Sequence, residues 1–172
     1  MNKPHGPDIA IVLVEDDEDV RHGTAQALEL AGLQVHCHGS VEAARRSVSP
    51  NAPIVLLCDV NLPGMHATEW LPEVRAVDAD LPMILVTGHG DIAMAVKALQ
   101  QGAYDFIEKP ASSDRIVAVV QRAVEKRRLV LALRAADGRA AAQRGIEAVM
   151  IGASAAMQAL RRTVLDLSLI HI

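Results

Sequence analysis

The sequence predicts an α/β protein built on a five-stranded parallel sheet. Three observations carry this. Short β-branched runs alternate five times with helix-period segments over roughly the first 125 residues. The runs at 9–14 and 54–57 are apolar without alternation, as strands covered by helices on both faces are. Glycine, proline and serine fall at the boundaries such units require.

The strands are read at residues 9–14, 34–38, 53–58, 83–86 and 104–107, and the helices at 18–31, 41–48, 67–77, 92–101 and 114–128. Gly32 follows the first helix and Gly102 the fourth, each placed to end it in a left-handed turn. Ser40 and Ser113 are read as helix N-caps. Pro53 and Pro82 stand at strand starts, where a missing N–H does least harm. The last helix overruns the sheet to about residue 134 and carries apolar residues on more than one stripe. One stripe is assigned to the sheet and the other to a partner helix, although Arg127 and Arg128 interrupt the heptad seam. Residues 135–148, rich in Ala, Arg and Gly, read as a linker.

Composition narrows the function classes. Of 172 residues, 51% are hydrophobic and 22% charged, with a net charge of −4, so the chain is globular and does not coat nucleic acid. Its aromatics are Trp70, Tyr104 and Phe106, too few for a single-strand stacking platform. Trp70 is read as partly buried packing. No apolar run approaches the ~20 residues of a membrane helix, and residues 1–6 lack the apolar core of a signal peptide. We therefore expect a cytoplasmic protein, with Cys37 and Cys58 as buried free thiols. Residues 1–110 hold 7 basic and 16 acidic side chains, whereas residues 111–172 hold 10 basic and 5 acidic ones, so an acidic body precedes a basic extension.

In an open parallel sheet, ligands gather at the carboxyl ends of the strands. The first strand ends in Glu15-Asp16-Asp17, the third in Asp59, the fourth in Thr87-Gly88, and Lys109-Pro110 follows the fifth. Taken singly these are bland: an acidic helix start, a turn former, a loop threonine, a surface lysine. Their weight comes from falling together at one rim. Clustered carboxylates repel unless a cation joins them, and Mg²⁺ suits an all-oxygen site shared with phosphate. Lys109 adds a positive point charge and Thr87 a donor. Such a set fits phosphoryl chemistry at a carboxylate nucleophile.

Asp16-Asp17, Asp59 with Asn61-Leu62-Pro63-Gly64-Met65, Val86-Thr87-Gly88 and Phe106-Ile107-Glu108-Lys109-Pro110 resemble the receiver domain of two-component response regulators, over about residues 8–128. The runs 125–129 and 151–161 resemble the linker and first AAA+ residues of NtrC-type, sigma-54-dependent activators. The resemblance implies a flavodoxin-like (βα)5 receiver with strand order 2-1-3-4-5 and an extended C-terminal helix. It implies Asp59 as phosphoacceptor, with Asp17, Asp59 and the Asn61 backbone carbonyl on Mg²⁺ and Asp16 acting through a metal-bound water. Lys109 would pair with Asp59 or its phosphate, Thr87 would swing toward the phosphoryl oxygens, and Phe106 would move between outward and inward positions. Gly88 would leave room for the phosphoryl group, and the Lys109–Pro110 bond would be cis.

The implied partners are a sensor histidine kinase and a second copy of the chain, through the long helix or the fourth-helix and fifth-strand face. DNA and sigma-54 polymerase would be reached only through other domains. The domain reading is a loose N-terminus at 1–8, a receiver at 9–128, a helical linker at 129–148 and the start of a truncated AAA+ domain at 149–172, with 168–172 as an appended tail. His66-Ala67 stands where the family commonly has Asp-Gly, and Ala111 where Phe is frequent. No G-x-x-x-x-G-K-[ST] loop occurs, so no ATPase is expected of these residues.

Rival readings are weaker. A phosphatase with an Asp nucleophile usually needs a second Asp two residues on, where this chain has Asn61. A flavin or nucleotide module would place a glycine-rich loop where acids stand. His36-Cys37-His38 offers too few ligands for zinc, the basic stretch 122–144 reads as a solvated or inter-helix face, and His89 is read as near Thr87.

Overall fold

A computed structural model describes residues 7–88 and 92–169 of the chain. The elements run β1 (Ala10–Val14), α1 (Glu18–Leu30), β2 (Gln34–His38), α2 (Val41–Ala44), a 3-10 turn (Arg45–Ser47), β3 (Ile54–Asp59), α3 (Ala67–Val77), β4 (Met83–Thr87), α4 (Ile92–Gln100), β5 (Asp105–Glu108) and α5 (Ser113–Leu169). The strands form one parallel sheet in the order β2-β1-β3-β4-β5. This is the flavodoxin-like arrangement expected. The central strands β1 and β3 are buried at every position, which is why their sequences do not alternate.

Two apolar layers cover the sheet. Val12, Val14, Leu56, Cys58, Met83 and Leu85 face one layer with Trp70 and Leu71 of α3. Ile11, Leu13, Val55, Leu57, Ile84 and Ile107 face the other, with Leu28 of α1 and Val120 and Ala123 of α5. The successive residues of each strand divide between the layers because strand side chains alternate. Trp70 is fully buried rather than partly so, since α3 turns its indole straight into the first layer.

Local punctuation matches the sequence closely. Gly32 and Gly102 have φ of +83° and +101°, the left-handed region that ends a helix cheaply only with glycine. Ser40 Oγ accepts from Ala43 N at 3.3 Å at the start of α2. Two expectations shift. The second helical segment is four residues of α-helix followed by a 3-10 turn, not a helix to residue 48. At α5 the capping oxygen belongs to Ser112, which accepts from Arg115 N at 3.3 Å, and Ser113 is the first helical residue.

Helix α5 continues through residues 135–148, because Ala and Arg are strong helix formers and outweigh Gly138 and Gly145. By contacts the chain divides into two units, Met1–Ala132 and Leu133–Ile172, and the first contains both apolar layers. Among the described residues no helix is long and apolar enough to cross a membrane.

Cys58 is buried and Cys37 is exposed, both as free thiols. The expectation for Cys37 fails because β2 is an edge strand, flanked on one side only.

Candidate functional site

The carboxyl ends of β1, β3 and β4 and the loop after β5 converge on one rim of the first unit. Asp59, the last residue of β3, is buried, and one of its oxygens contacts Lys109 Nζ. Its other oxygen accepts from Asn61 N at 2.9 Å, which fixes the carboxylate plane. Lys109 also reaches Glu15 Oε2 at 3.0 Å. The Lys109–Pro110 bond that carries this ammonium out of β5 is cis.

Among the described residues, one acidic group is close enough to share a cation: Glu15, Asp16 and Asp59 each bring an oxygen within 4.8 Å of the others. Asp17 does not join them. Its Oδ1 caps α1, accepting from Asp19 N at 3.0 Å and Val20 N at 3.1 Å. The carboxylate that stands with Asp16 and Asp59 is thus the buried Glu15, which the sequence reading placed at the strand end without a ligand role, and not Asp17. A signal was available. A helix read as starting at residue 18 makes residue 17 its N-cap, which uses that carboxylate for backbone donors.

The electrostatics follow from crowding. Burial raises the pKa of Glu15, and the charge on Asp59 pushes it further up against the opposing pull of Lys109. For Lys109, burial alone favours the neutral amine. Hydrogen bonds to Asp59 and Glu15 outweigh it, so its pKa is raised. Three carboxylates facing one ammonium leave a net negative pocket of hard oxygen donors, which could hold a divalent cation.

Thr87 ends β4 and is buried, its Oγ1 donating to Gly88 O at 3.2 Å. A Cβ at Gly88 would meet nothing within 4 Å. Phe106 is half-buried against the layer that holds Trp70. His89 lies outside the described residues. At the loop into α3, His66 N donates to Glu69 Oε2 at 3.4 Å, and its ring Nδ1 lies 3.3 Å from Val60 O. Beside Lys109, Ala111 helps to line a cavity of about 470 Å³ with Val20, Thr24, Pro110 and Ile116.

Sequence reasoning also missed Arg127, which it treated as an interruption of an apolar seam. The side chain is fully buried. It donates to Ala52 O at 3.0 and 2.8 Å and to Asp78 Oδ2 at 2.7 Å. No zinc grouping involving His36, Cys37 or His38 occurs among the described residues.

A parallel sheet in this order, with acids from β1 and β3, a hydroxyl from β4 and a lysine after β5, defines the receiver class of signalling domain. Residues 11–121 match the family model described as the response regulator receiver domain, and the chain belongs to that family. It is similar to the C4-dicarboxylate transport transcriptional regulatory protein DctD of Rhizobium meliloti (strain 1021), 44% identical over 155 residues, covering 90% of this chain and 33% of that protein. Similarity to DctD of Pseudomonas aeruginosa is 40% over 168 residues, covering 98% of this chain and 36% of the relative. The chain thus spans about a third of the length of these relatives. Among solved structures it is similar to NtrX from Brucella abortus, crystallised with ADP, at 32% identity and a TM-score of 0.66, covering 73% of this chain and 29% of that one. It is likewise similar to FixJ-N, at 38% identity and a TM-score of 0.63, covering 69% of this chain and 95% of that one.

Proposed function

We propose that Asp59 accepts a phosphoryl group from a sensor histidine kinase and that this charge switches an attached sigma-54-dependent transcription activator. The observation that carries the reading is the placement of Asp59: buried, touched by Lys109, and within ligand reach of Glu15 and Asp16. A bound Mg²⁺ would be held by Asp16, Asp59, Glu15 and the Asn61 carbonyl, and would neutralise charge spreading over the phosphoryl oxygens.

A carboxylate oxygen of Asp59 attacks phosphorus and forms an O–P bond. The N–P bond of the kinase phosphohistidine breaks, and the imidazole leaves with a proton from solvent. Lys109, already paired with Asp59, follows the new negative charge onto a phosphoryl oxygen. Thr87 Oγ1 exchanges the Gly88 carbonyl for a phosphoryl oxygen. Its movement frees space beside β4 and biases the position of Phe106 on β5, the two-state element of the switch. The domain is a phosphoacceptor and not a turnover enzyme, since Asn61 offers no carboxylate to act as general base for water.

Dimerisation through α5 or through α4 and β5 is part of this reading. Leu129 and Leu133 on α5, and Val96 and Leu99 on α4, leave apolar surface exposed. The arrangement at 129–148 as a helical linker and 149–172 as the start of a further domain belongs to it as well, as does a cytoplasmic site of action.

Incubating the protein with acetyl phosphate and Mg²⁺ and weighing it intact tests the acceptor. One phosphoryl group should be added to the wild type and none to Asp59→Asn. Undiminished labelling of that variant would move the acceptor elsewhere.

A further inference from the structure

Past the last ladder position of β1 at Val14, the loop Glu15–Asp17 has three carboxylates with three different tasks. Glu15 reaches Lys109, Asp16 joins Asp59, and Asp17 caps α1. For this to hold, the loop backbone must turn in one particular way. The Asp17 carbonyl already accepts from Arg21 N at 2.9 Å as the helix begins, but the Glu15 and Asp16 carbonyls have left the sheet and have not yet entered the helix, so neither structure supplies their donors.

Arg21, one turn into α1, supplies them. The side chain folds back over the helix start, and Nη1 donates to Glu15 O at 2.7 Å and to Asp16 O at 3.3 Å. The guanidinium passes over the β2–α2 turn, with Nη1 3.7 Å from where a Cβ of Gly39 would stand. It is half-buried and bridges consecutive carbonyls of the two residues whose side chains meet Asp59.

We infer that Arg21 is a positioning residue for divalent-cation binding: it holds the Glu15–Asp16 backbone so that both carboxylates face Asp59. The inference rests on the cation reading of the pocket given above. It makes a claim opposite in sign to the simple electrostatic one. A positive side chain beside an anionic pocket repels a metal ion, so removing it would by charge alone tighten binding. If positioning dominates, removing it weakens binding.

The test is Mg²⁺ titration by calorimetry, with Mn²⁺ paramagnetic resonance as a second probe, on the full chain as wild type, Arg21→Met and Arg21→Lys. Arg21→Met should bind Mg²⁺ about tenfold more weakly, the scale of a lost charge-assisted hydrogen bond. Arg21→Lys, which keeps a cationic donor on a flexible stem, should recover part of the loss. In acetyl phosphate labelling, half-saturating Mg²⁺ should rise for Arg21→Met while the rate at saturating Mg²⁺ stays near wild type. A generally damaged fold would lower that rate and the metal-free melting point together. Unchanged or tighter Mg²⁺ binding by Arg21→Met overturns the role of Arg21 alone. Failure of the wild type to bind Mg²⁺ or Mn²⁺ overturns the cation reading itself. Should Arg21→Met not fold, Arg21→Lys decides: Mg²⁺ binding weaker than that of the wild type supports the inference, and binding equal to or tighter than that of the wild type overturns it.

Discussion

At the scale of single residues, neighbouring acids take unlike roles because the chain turns between them. Asp16 and Asp17 are indistinguishable by composition, but one faces Asp59 and the other accepts two backbone N–H groups of α1. The two substitutions should therefore separate. Asp16→Asn should weaken Mg²⁺ binding by roughly tenfold or more, since it removes a charged donor. Asp17→Asn, which still caps a helix well, should leave it within about twofold. Calorimetric titration of both variants checks this, and equal losses would return Asp17 to the metal set.

At the scale of elements, α5 is fastened to the sheet by one buried ion pair. Valines and alanines at 119, 120, 123 and 124 and Leu131 form its buried stripe, and Arg127 falls on that stripe by helical period. A guanidinium there needs full compensation. Asp78 supplies part of it at Nη2 while also accepting from Asn51 N at 3.1 Å and Asp80 N at 3.0 Å, and Ala52 O accepts from Nε and Nη2, whereas Nη1 is buried without a hydrogen-bond partner among the described residues. The network ties α5 to the segments preceding β3 and β4. Adjacent Arg128 makes only an exposed pair with Glu125 at 2.8 Å. Arg127→Met should thus lower the unfolding free energy by about 3 kcal/mol, since it strands a buried carboxylate. Arg128→Met should change it by less than about 0.5 kcal/mol. Urea denaturation of the pair decides, and similar midpoints would mean that the buried network contributes little.

At the scale of the whole molecule, the rim chemistry shows in how stability depends on pH without metal. Glu15 has its pKa raised on folding, so it adds stability that is complete below 4.5 and is lost as pH rises through the raised value. Lys109 is also raised, so its contribution is complete below 10.5 and is lost only in strongly alkaline solution. Metal-free wild type should therefore lose stability relative to Glu15→Gln as pH climbs from about 4.5 toward neutrality. Thermal melts across that range measure it, and parallel curves would show that burial of Glu15 carries no such cost.

Much of the architecture was legible in the chain alone, because its signals are local. Uninterrupted apolar runs identify strands covered on both faces, Gly32 and Gly102 end helices for a backbone reason, and Asp59, Thr87 and Lys109 fall at strand ends by counting. What folding alone decided are relations between distant or interchangeable groups. Choosing Glu15 over Asp17 depends on how a three-residue loop turns once the ladder ends at Val14. The exposure of Cys37 depends on β2 being an edge, a matter of strand order. The burial of Arg127 depends on an aspartate 49 residues away. Periodicity reports which face a residue occupies, but the partner waiting there is set by the path of the rest of the chain.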